Sequence, residues 1–425
     1  MRKVEDILKK VIREIDPKKE DLELIKNSTE KFSEAMKANL KKLGINAEVF
    51  VGGSFSKRTV IKKDKYDVDV FIRYDKKYKN EEISLLTKKA LKRMNFSSIH
   101  GSRDYFRINV KNNFFIEIIP VKKINKPEEY ENVTDLSYFH VKYINKKIKS
   151  KKIIDGIKIA KAFCYANGCY GAESYISGFS GYSLELLVYY YKGFLNFIKA
   201  ISKMGKEKEI IDIERRFRNK RNALIDLNSS KLNSPIILID PTYKQRNALA
   251  ALSQKTYERF QKACKDFLKN PSLKSFEIKK INLNKIKENA TKKKREFILL
   301  EAETNKPEGD VAGSKLLKFY NHIEKEISRF FRISKKGFNY NNKKSARYFF
   351  VAKNRGEIIC GGPYLIDKKN ILKFKRLHKK TFQKNSRIYS RDKINFTLMN
   401  FIDKWKIKNK KKIQDMNIVL LKEVK

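Results

Sequence analysis

Hydrophobic positions near the start of the chain follow a helical period and then change to the alternation that is typical of strands. Apolar residues recur at three- and four-residue intervals in the first segment, where they are Val4, Ile7, Leu8, Val11, Ile12 and Ile15. Asp16-Pro17 ends this segment, and a second predicted helix runs to about Leu43 with Gly44 as its C-terminal cap. A further helix is predicted over about 81–94. Short runs rich in β-branched and aromatic residues predict strands over 47–53, 66–74, 105–110 and 114–120.

The pattern becomes mainly helical after residue 151 and mixed again after residue 271. Three helices are predicted in the middle part, over 155–168, 180–201 and 245–268, and Asp155 is interpreted as the N-cap of the first. Past a basic stretch at 281–296, the strand-like segments REFILLEAE and SARYFFVAKN flank a predicted helix over 314–331. The chain therefore predicts an α+β multidomain fold with a mixed sheet in its first domain, divided into residues 1–150, 151–270 and 271–425.

Composition adds an extreme positive charge, with 98 Lys and Arg against 48 Asp and Glu and a formal net charge of +50. Such a charge favours a polyanionic partner, because self-repulsion otherwise destabilises the compact state. An AT-rich genome would explain part of the lysine excess. It would not explain why Asp and Glu are only about half as numerous as Lys and Arg. No apolar stretch is long enough to span a bilayer, so we expect no membrane partner. The start of the chain does not resemble a secretory signal.

The distribution of basic, aromatic and cysteine residues refines the expected partner and location. Lysine and arginine concentrate in four clusters, at 142–152, 215–221, 373–391 and 404–412, and aromatic residues interleave with lysine along the chain. This mixture is typical of proteins that neutralise phosphates and stack on bases, which favours nucleic acid. The four cysteines form no CxxC pair, so we expect neither a zinc site nor a disulfide framework. We expect a reducing, cytoplasmic location instead.

Two aspartates inside an apolar strand are the first candidates for chemistry. Asp67 and Asp69 are two residues apart in YDVDVF and so share one face of the predicted strand, while the valines point into the core. Glu117 lies in the apolar run FFIEIIP, and if this run pairs beside YDVDVF, three carboxylates form a cluster that suits Mg²⁺. Gly52-Gly53-Ser54 stands upstream at a strand-to-helix junction that could hold phosphate. The alternatives are a salt bridge from Glu117 to a lysine and a simple turn at the glycines.

These features together resemble the nucleotidyltransferase fold of the polymerase β superfamily. The resemblance consists of a GS motif that opens a helix, a DxD on the next strand and a third acid on a later strand. Later motifs look like those of the archaeal, class I CCA-adding tRNA nucleotidyltransferases: FHVKYI, AKAFCYANGCYGAE, SGFSGYSLELL, DPTYKQRNALAALS, CKDFLKNPSLKSF and GGPYLIDKKNILKF. They occur in order over nearly the whole chain, and NGxYGAE and GFSGYxxELL are the most specific.

The resemblance implies an enzyme that adds C, C and A to the 3′ end of tRNA from CTP and ATP, releasing pyrophosphate without a nucleic-acid template. It implies a catalytic head with a polymerase β-like sheet, a helical neck, an α+β body and tail that bind RNA, and a possible homodimer. Asp67 and Asp69 would bind both metal ions, and Glu117 the catalytic one. The remaining implied nucleotide-binding residues are Gly53 and Ser54 at the triphosphate, Lys57 at the phosphates, His140, Lys161 and Tyr170 near the triphosphate and sugar, and Arg246 at the base.

Two positions depart from the family pattern. Glu117 replaces the usual aspartate and reaches one methylene further, and Lys57 replaces an arginine and so loses a bidentate fork, for which the neighbouring Arg58 could compensate. The residues alone also permit His140 as a core histidine, Tyr170 as a packing residue and Lys161 as a solvated lysine.

Two other functions remain open. One is a different template-independent transferase, either a poly(A) polymerase or an enzyme limited to adding the terminal A. The other is a catalytically silent RNA-binding protein.

Overall fold

The structure, a computed structural model, describes residues 2–99, 103–111, 114–205, 207–278 and 281–424. The chain forms two compact units, residues 1–279 and 280–425. The division of the chain into three domains, at residues 150 and 270, stays a prediction.

The first unit begins with two helices and a five-stranded mixed sheet. The elements are α1 (Arg2–Ile15), α2 (Lys19–Lys42), β1 (Ala47–Val51), α3 (Gly53–Ser56), β2 (Tyr66–Tyr74), α4 (Asn80–Ala90), β3 (Phe96–Ile99), β4 (Tyr105–Lys111) and β5 (Phe114–Lys122). The strand order is β1-β2-β5-β4-β3, and only the β2–β5 pair is parallel. Val68 and Val70 are buried in the core of this sheet, as the alternation predicts.

The remainder of the first unit is mainly helical and has its own hydrophobic core. Its elements are α5 (Ser137–Lys147), α6 (Lys151–Ala166), α7 (Gly181–Tyr190), α8 (Phe194–Lys203), β6 (Glu209–Asp212), α9 (Lys220–Asp226), β7 (Ile236–Ile239) and α10 (Gln254–Lys269). The core is rich in rings, with Phe163 in contact with four other phenylalanines from α8, α10 and the segment after α10. Strands β6 and β7 form a separate parallel pair.

The second unit contains a four-stranded and a three-stranded sheet. Its elements are α11 (Leu283–Lys292), β8 (Glu296–Thr304), α12 (Asp310–Phe330), β9 (Phe331–Tyr340), β10 (Ser345–Asn354), β11 (Glu357–Tyr364), α13 (Lys368–Leu377), β12 (Thr381–Lys384), β13 (Arg387–Lys393), α14 (Leu398–Lys408), α15 (Lys410–Asp415) and β14 (Ile418–Glu423). The sheet orders are β14-β8-β10-β9 and β11-β13-β12. Among the helices that the structure describes, none combines the length and apolar character needed to cross a bilayer.

Several predicted boundaries are wrong for identifiable reasons. The helix expected over 180–201 is two helices, because Lys192 and Gly193 have positive φ angles of 56° and 127° and turn the chain between α7 and α8. Asp155 is not an N-cap, since α6 already begins at Lys151. The helix expected from residue 245 begins only at Gln254, where Ser253 accepts a hydrogen bond from a first-turn amide.

Several elements were not predicted, among them strand β3 and helix α11. Strand β3 is only four residues long, and helix α11 lies inside the stretch that was interpreted only as basic. The C-terminal cap of α2 is confirmed, because Gly44 follows the helix with a φ of +64°.

Candidate active site

The predicted pairing of the two acidic strands is confirmed. Strands β2 and β5 are parallel neighbours, and their register places Asp69 directly opposite Glu117. Asp67 lies two residues earlier on β2, on the same face, and both aspartates are partly exposed while the residues between and after them are buried. The strand alternation therefore presents three carboxylates on one face of the sheet.

Two of these carboxylates have a basic partner. Arg107, on the adjacent strand β4, donates from Nη2 and Nε to Glu117 Oε1 at 2.5 and 3.1 Å. Lys63 lies 3.3 Å from Asp67 Oδ1, in an ion pair that is largely open to solvent. The salt bridge that was the alternative for Glu117 thus exists, with an arginine as the partner instead of a lysine.

The pKa of Asp69 is strongly perturbed. Burial, followed by repulsion from Glu117 and Asp67, raises the pKa of Asp69 to about 7, although Lys57 and Lys63 oppose the shift. A carboxylate that two other acids repel is stabilised by a nearby cation.

Gly53 allows the turn before the DxD strand to lie against Asp69. Its φ is +61°, and a Cβ added there would lie 1.8 Å from Asp69 Oδ2. The amide of Gly52 donates to the backbone oxygen of Asp69 at 2.8 Å. The helix that Ser54 was expected to open is the single turn α3, so its dipole contributes little, and the backbone amides of the turn are the groups that could bind an anion there.

Asp67, Asp69 and Glu117 have the donor chemistry of a site for a hard divalent cation. Carboxylate oxygens are the ligands that Mg²⁺ prefers, and the raised pKa of Asp69 indicates a place where positive charge is favourable. Within the described ranges, no three His, Cys, Asp or Glu side chains converge closely enough to hold a metal as they stand. Glu117 would have to exchange its contact with Arg107 for the ion.

A small pocket beside the DxD strand brings together four of the predicted site residues. Its lining includes Ser54, Asp67, Lys161 and Tyr170. Tyr170 stacks on Tyr165, which also lines the pocket, with 4.1 Å between ring centroids. The glycine-serine turn of the head and helix α6 of the helical part thus face one another across this pocket.

Lys57 and Lys161 lie at one buried carboxylate. Glu185 Oε2 accepts from Lys57 at 2.6 Å, and its Oε1 lies 3.3 Å from the ammonium of Lys161. Thr59 donates to the same oxygen of Glu185 at 2.9 Å. Lys161 is 3% exposed, so it is not a solvated lysine. Arg58, which could compensate for Lys57, donates from Nη2 to the backbone oxygen of Ile148 at 3.1 Å.

His140 and Arg246 meet at a second buried carboxylate, Asp240. Arg246 Nη1 donates to Asp240 Oδ2 at 2.6 Å, and His140 Nε2 lies 3.1 Å from the same oxygen. Tyr182 donates its hydroxyl to Oδ1 at 3.0 Å and stacks on His140, with 4.0 Å between ring centroids. Burial lowers the pKa of His140, which favours the neutral ring with Nε2–H as the donor. Burial alone would raise the pKa of Asp240, but its contacts with His140 and Arg246 outweigh burial and lower that pKa.

The structure therefore brings the predicted residues into three groups: the carboxylates on β2 and β5, the lysines at Glu185, and His140 with Arg246 at Asp240. Sequence reasoning did not identify Arg107, Tyr182, Glu185 or Asp240. Glu185 had a visible signal, since it is an acid in the centre of the apolar helix SLELLVYY. Asp240 opens the motif that contains Arg246, but nothing in the sequence indicates which cation it pairs with.

Known proteins resemble the chain over most of its length. A family model described as tRNA nucleotidyltransferase, second domain, matches residues 155–277. The CCA-adding enzyme of Nanoarchaeum equitans is 42% identical over 57% of this chain, and the match spans only 59% of that relative. The CCA-adding enzyme of Methanocaldococcus jannaschii is 28% identical over 91% of this chain and 87% of its own. That of Saccharolobus islandicus strain M.14.25 is 30% identical over 77% and 73% respectively.

Solved structures share the fold at much lower identity. A cytoplasmic RNA terminal U-transferase matches 66% of this chain and all of its own, with a TM-score of 0.51 and 13% identity. The Cid1 poly(U) polymerase matches 64% of this chain and 98% of its own, with a TM-score of 0.50 and 13% identity. These likenesses confirm the predicted α+β fold.

Proposed function

The chain belongs to the family of archaeal CCA-adding enzymes, and from this premise we propose that it adds C, C and A in turn to the 3′ end of tRNA. CTP and ATP are the proposed substrates, pyrophosphate is the leaving group, and no nucleic-acid template is used. The observation that carries the proposal is the register of Asp69 opposite Glu117, beside a pocket lined by Ser54, Lys161 and Tyr170.

The proposed reaction joins the 3′ oxygen of the RNA to the α-phosphorus of the nucleotide and breaks the bond from that phosphorus to pyrophosphate. Lys57 and Lys161 supply positive charge for the triphosphate, and the turn amides near Ser54 hold its oxygens. His140 and Tyr182 fix the carboxylate of Asp240, which in turn orients Arg246 toward the nucleotide base. The chain thereby orders the substrate around the acidic face of the sheet.

Asp67, Asp69 and Glu117 are the proposed ligands of divalent metal ions, and Mg²⁺ is the proposed ion. Ions bound there would activate the attacking hydroxyl and carry charge on the leaving pyrophosphate. Because Glu117 Oε1 accepts from Arg107, metal binding exchanges one cation for another at this oxygen. The longer side chain of a glutamate supports such an exchange, since it reaches further from the strand than an aspartate.

The basic clusters support tRNA as the polyanionic partner. Lysines spread over both units suit contacts to phosphates, which do not depend on sequence and therefore fit an enzyme that acts on all tRNAs. A cytoplasmic location and a homodimer belong to the same proposal and rest on the family resemblance.

The test uses purified protein, Mg²⁺ and a tRNA transcript that lacks its last three nucleotides. CTP alone, ATP alone and both together are supplied, and the product lengths are resolved, with a transcript that already ends in CCA as the control. We expect two additions with CTP, a third only when ATP is also present, and none on the control. Long A tails would identify a poly(A) polymerase instead, and binding of tRNA without extension would identify a silent RNA-binding protein.

A further inference from the structure

Glu185 is a fully buried carboxylate in the middle of an apolar helix. It lies on α7, in which residues 182–188 are all buried, and its own exposure is 0%. Burying an ionised carboxylate is strongly unfavourable unless cations and hydrogen bonds surround it. Burial alone would raise the pKa of Glu185, but Lys57 and Lys161 outweigh that effect and lower it, so the group is ionised.

The contacts of the two lysines at Glu185 differ in number. Lys161 Nζ has three acceptors, which are Thr59 Oγ1 at 2.7 Å, Thr59 O at 3.0 Å and Glu185 Oε1 at 3.3 Å. An ammonium has three N–H donors, so all those of Lys161 are directed inside the protein. Lys57 Nζ has one acceptor among the described residues, Glu185 Oε2 at 2.6 Å, which leaves two donors for another ligand. Lys57, although only 9% exposed, therefore keeps N–H donors for phosphate oxygens, while Lys161 lines the pocket and contributes its charge there.

The arrangement also explains how a lysine can serve where the family has an arginine. A lysine carries a point charge on a flexible stem and lacks the fixed fork of a guanidinium. Glu185, a buried acid from a different segment of the chain, fixes the direction of the Lys57 side chain. The cluster of two lysines and one glutamate retains one net positive charge. That surplus charge lies beside the carboxylates of β2, since Lys57 is close enough to lower the pKa of Asp69.

We propose that Glu185 is a positioning residue for nucleotide binding, which holds Lys57 and Lys161 as a fixed, charged pair for the triphosphate. The proposal rests on the proposed function, since it takes a nucleoside triphosphate as the ligand. Among the described residues, the polar partners of the Glu185 carboxylate are the two lysines and Thr59, and Glu185 acts on the substrate through the lysines.

The charge of Glu185 determines the pH range over which Lys161 is protonated. Burial lowers the pKa of Lys161 to about 8, and Glu185 opposes this decrease. The other charged or titratable groups that face Lys161 or share its pocket are Lys57, Lys63, Tyr66, Asp67, Tyr165 and Tyr170. Replacing the carboxylate with an amide removes its opposing effect, so Lys161 loses its proton at a lower pH. Triphosphate binding then has to restore that proton, and affinity falls as the pH rises.

The experiment measures the Kd of the full chain for ATP with Mg²⁺ by calorimetry between pH 6.5 and 8.5, in buffers of different ionisation enthalpy. For Glu185→Gln we expect a Kd within about twofold of the unmodified protein at pH 6.5 and at least about fivefold weaker at pH 8, with more proton uptake on binding. Glu185→Asp keeps the charge and restores most of the pH profile. Ser183→Ala is the matched control, because Ser183 is a buried polar residue of the same helix whose hydroxyl bonds with Ser180 and with no other residue in the described part of the chain.

A Glu185→Gln protein whose Kd follows the unmodified pH profile, or which binds ATP more tightly at every pH, would overturn the proposal. Lys161→Arg gives a second readout that does not depend on the folding of the glutamate variant. Arginine stays charged at every pH used, so we expect its Kd for ATP to lose the pH dependence, and an unchanged profile would also overturn the proposal. A chain that binds ATP in this pH-dependent way but adds no C or A to tRNA would contradict the proposed function alone.

Discussion

Replacing Gly53 with alanine tests whether the glycine turn and Asp69 form one site. A Cβ at residue 53 would lie 1.8 Å from Asp69 Oδ2, whereas ordinary contact begins at 3.4 Å. The aspartate or the turn must therefore move by about 1.5 Å. A displacement of about 1 Å in a catalytic group can reduce the rate about 100-fold. We expect Gly53→Ala to lower kcat for nucleotide addition at least about 100-fold in single-turnover extension of a tRNA transcript.

Gly44→Ala is the matched control for this experiment. Gly44 has nearly the same φ as Gly53, +64° against +61°, but an added Cβ there would have no atom within 4 Å. Both substitutions therefore lower the free energy of unfolding by about 1 kcal/mol through the positive φ, and only the one at Gly53 disturbs a carboxylate. Urea unfolding measures the shared cost. If Gly53→Ala adds nucleotides within about threefold of the Gly44→Ala rate, Asp69 has no role that depends on its position.

Four further predictions concern the charged residues of the site. Asp67→Ala and Asp69→Ala should each abolish nucleotide addition without weakening tRNA binding in a filter assay, and substantial residual turnover would contradict their role as metal ligands. Asp69→Asn should stabilise the metal-free protein, and the stabilisation should increase from about pH 4 to 7. Because the pKa of Asp69 is raised, the folded state holds this proton more tightly than the unfolded state does. The unmodified protein therefore loses stability as the pH rises through that range, and the asparagine variant does not. A constant difference in thermal unfolding across those pH values would contradict this. Arg246→Ala should reduce discrimination between CTP and ATP more than it weakens tRNA binding, and unchanged selectivity in competition assays would count against base reading. Arg107→Gln should lower the Mg²⁺ concentration for half-maximal addition several-fold, because the guanidinium competes for Glu117 Oε1, and an unchanged Mg²⁺ titration would rule out that competition.

The sheet and its acids were predictable because they depend on local periodicity. An alternation of two places Asp67 and Asp69 on one face whatever surrounds the strand, and an apolar run around Glu117 requires a buried strand. The break after α7 was harder to predict, because the sequence YYYKGFLNF continues the apolar helical pattern and the positive φ of Lys192 and Gly193 is visible only in the structure.

The partners of the charged residues could not be predicted in the same way. Glu185 and Lys57 are 128 residues apart, and His140 and Asp240 are 100 apart, so no periodicity connects them. A chain with 98 basic residues offers many possible partners for each buried acid. Only the packing of α7 against the segment after α3 selects Lys57 among them.

The pairing of charges within the site also bears on why metal ions would be required. Four carboxylates of the site are paired with lysine or arginine side chains of this chain. The pairs are Asp67 with Lys63, Glu117 with Arg107, Glu185 with Lys57 and Lys161, and Asp240 with Arg246. When Asp69 is added to these four carboxylates, the site contains as many acidic side chains as lysines and arginines. The whole chain, in contrast, carries a formal net charge of +50. The proposed triphosphate would bring several negative charges to this balanced group, and divalent cations bound with it would cancel them. The excess of lysine and arginine elsewhere would then be available for the phosphates of the proposed RNA partner, so the site itself need not be strongly basic.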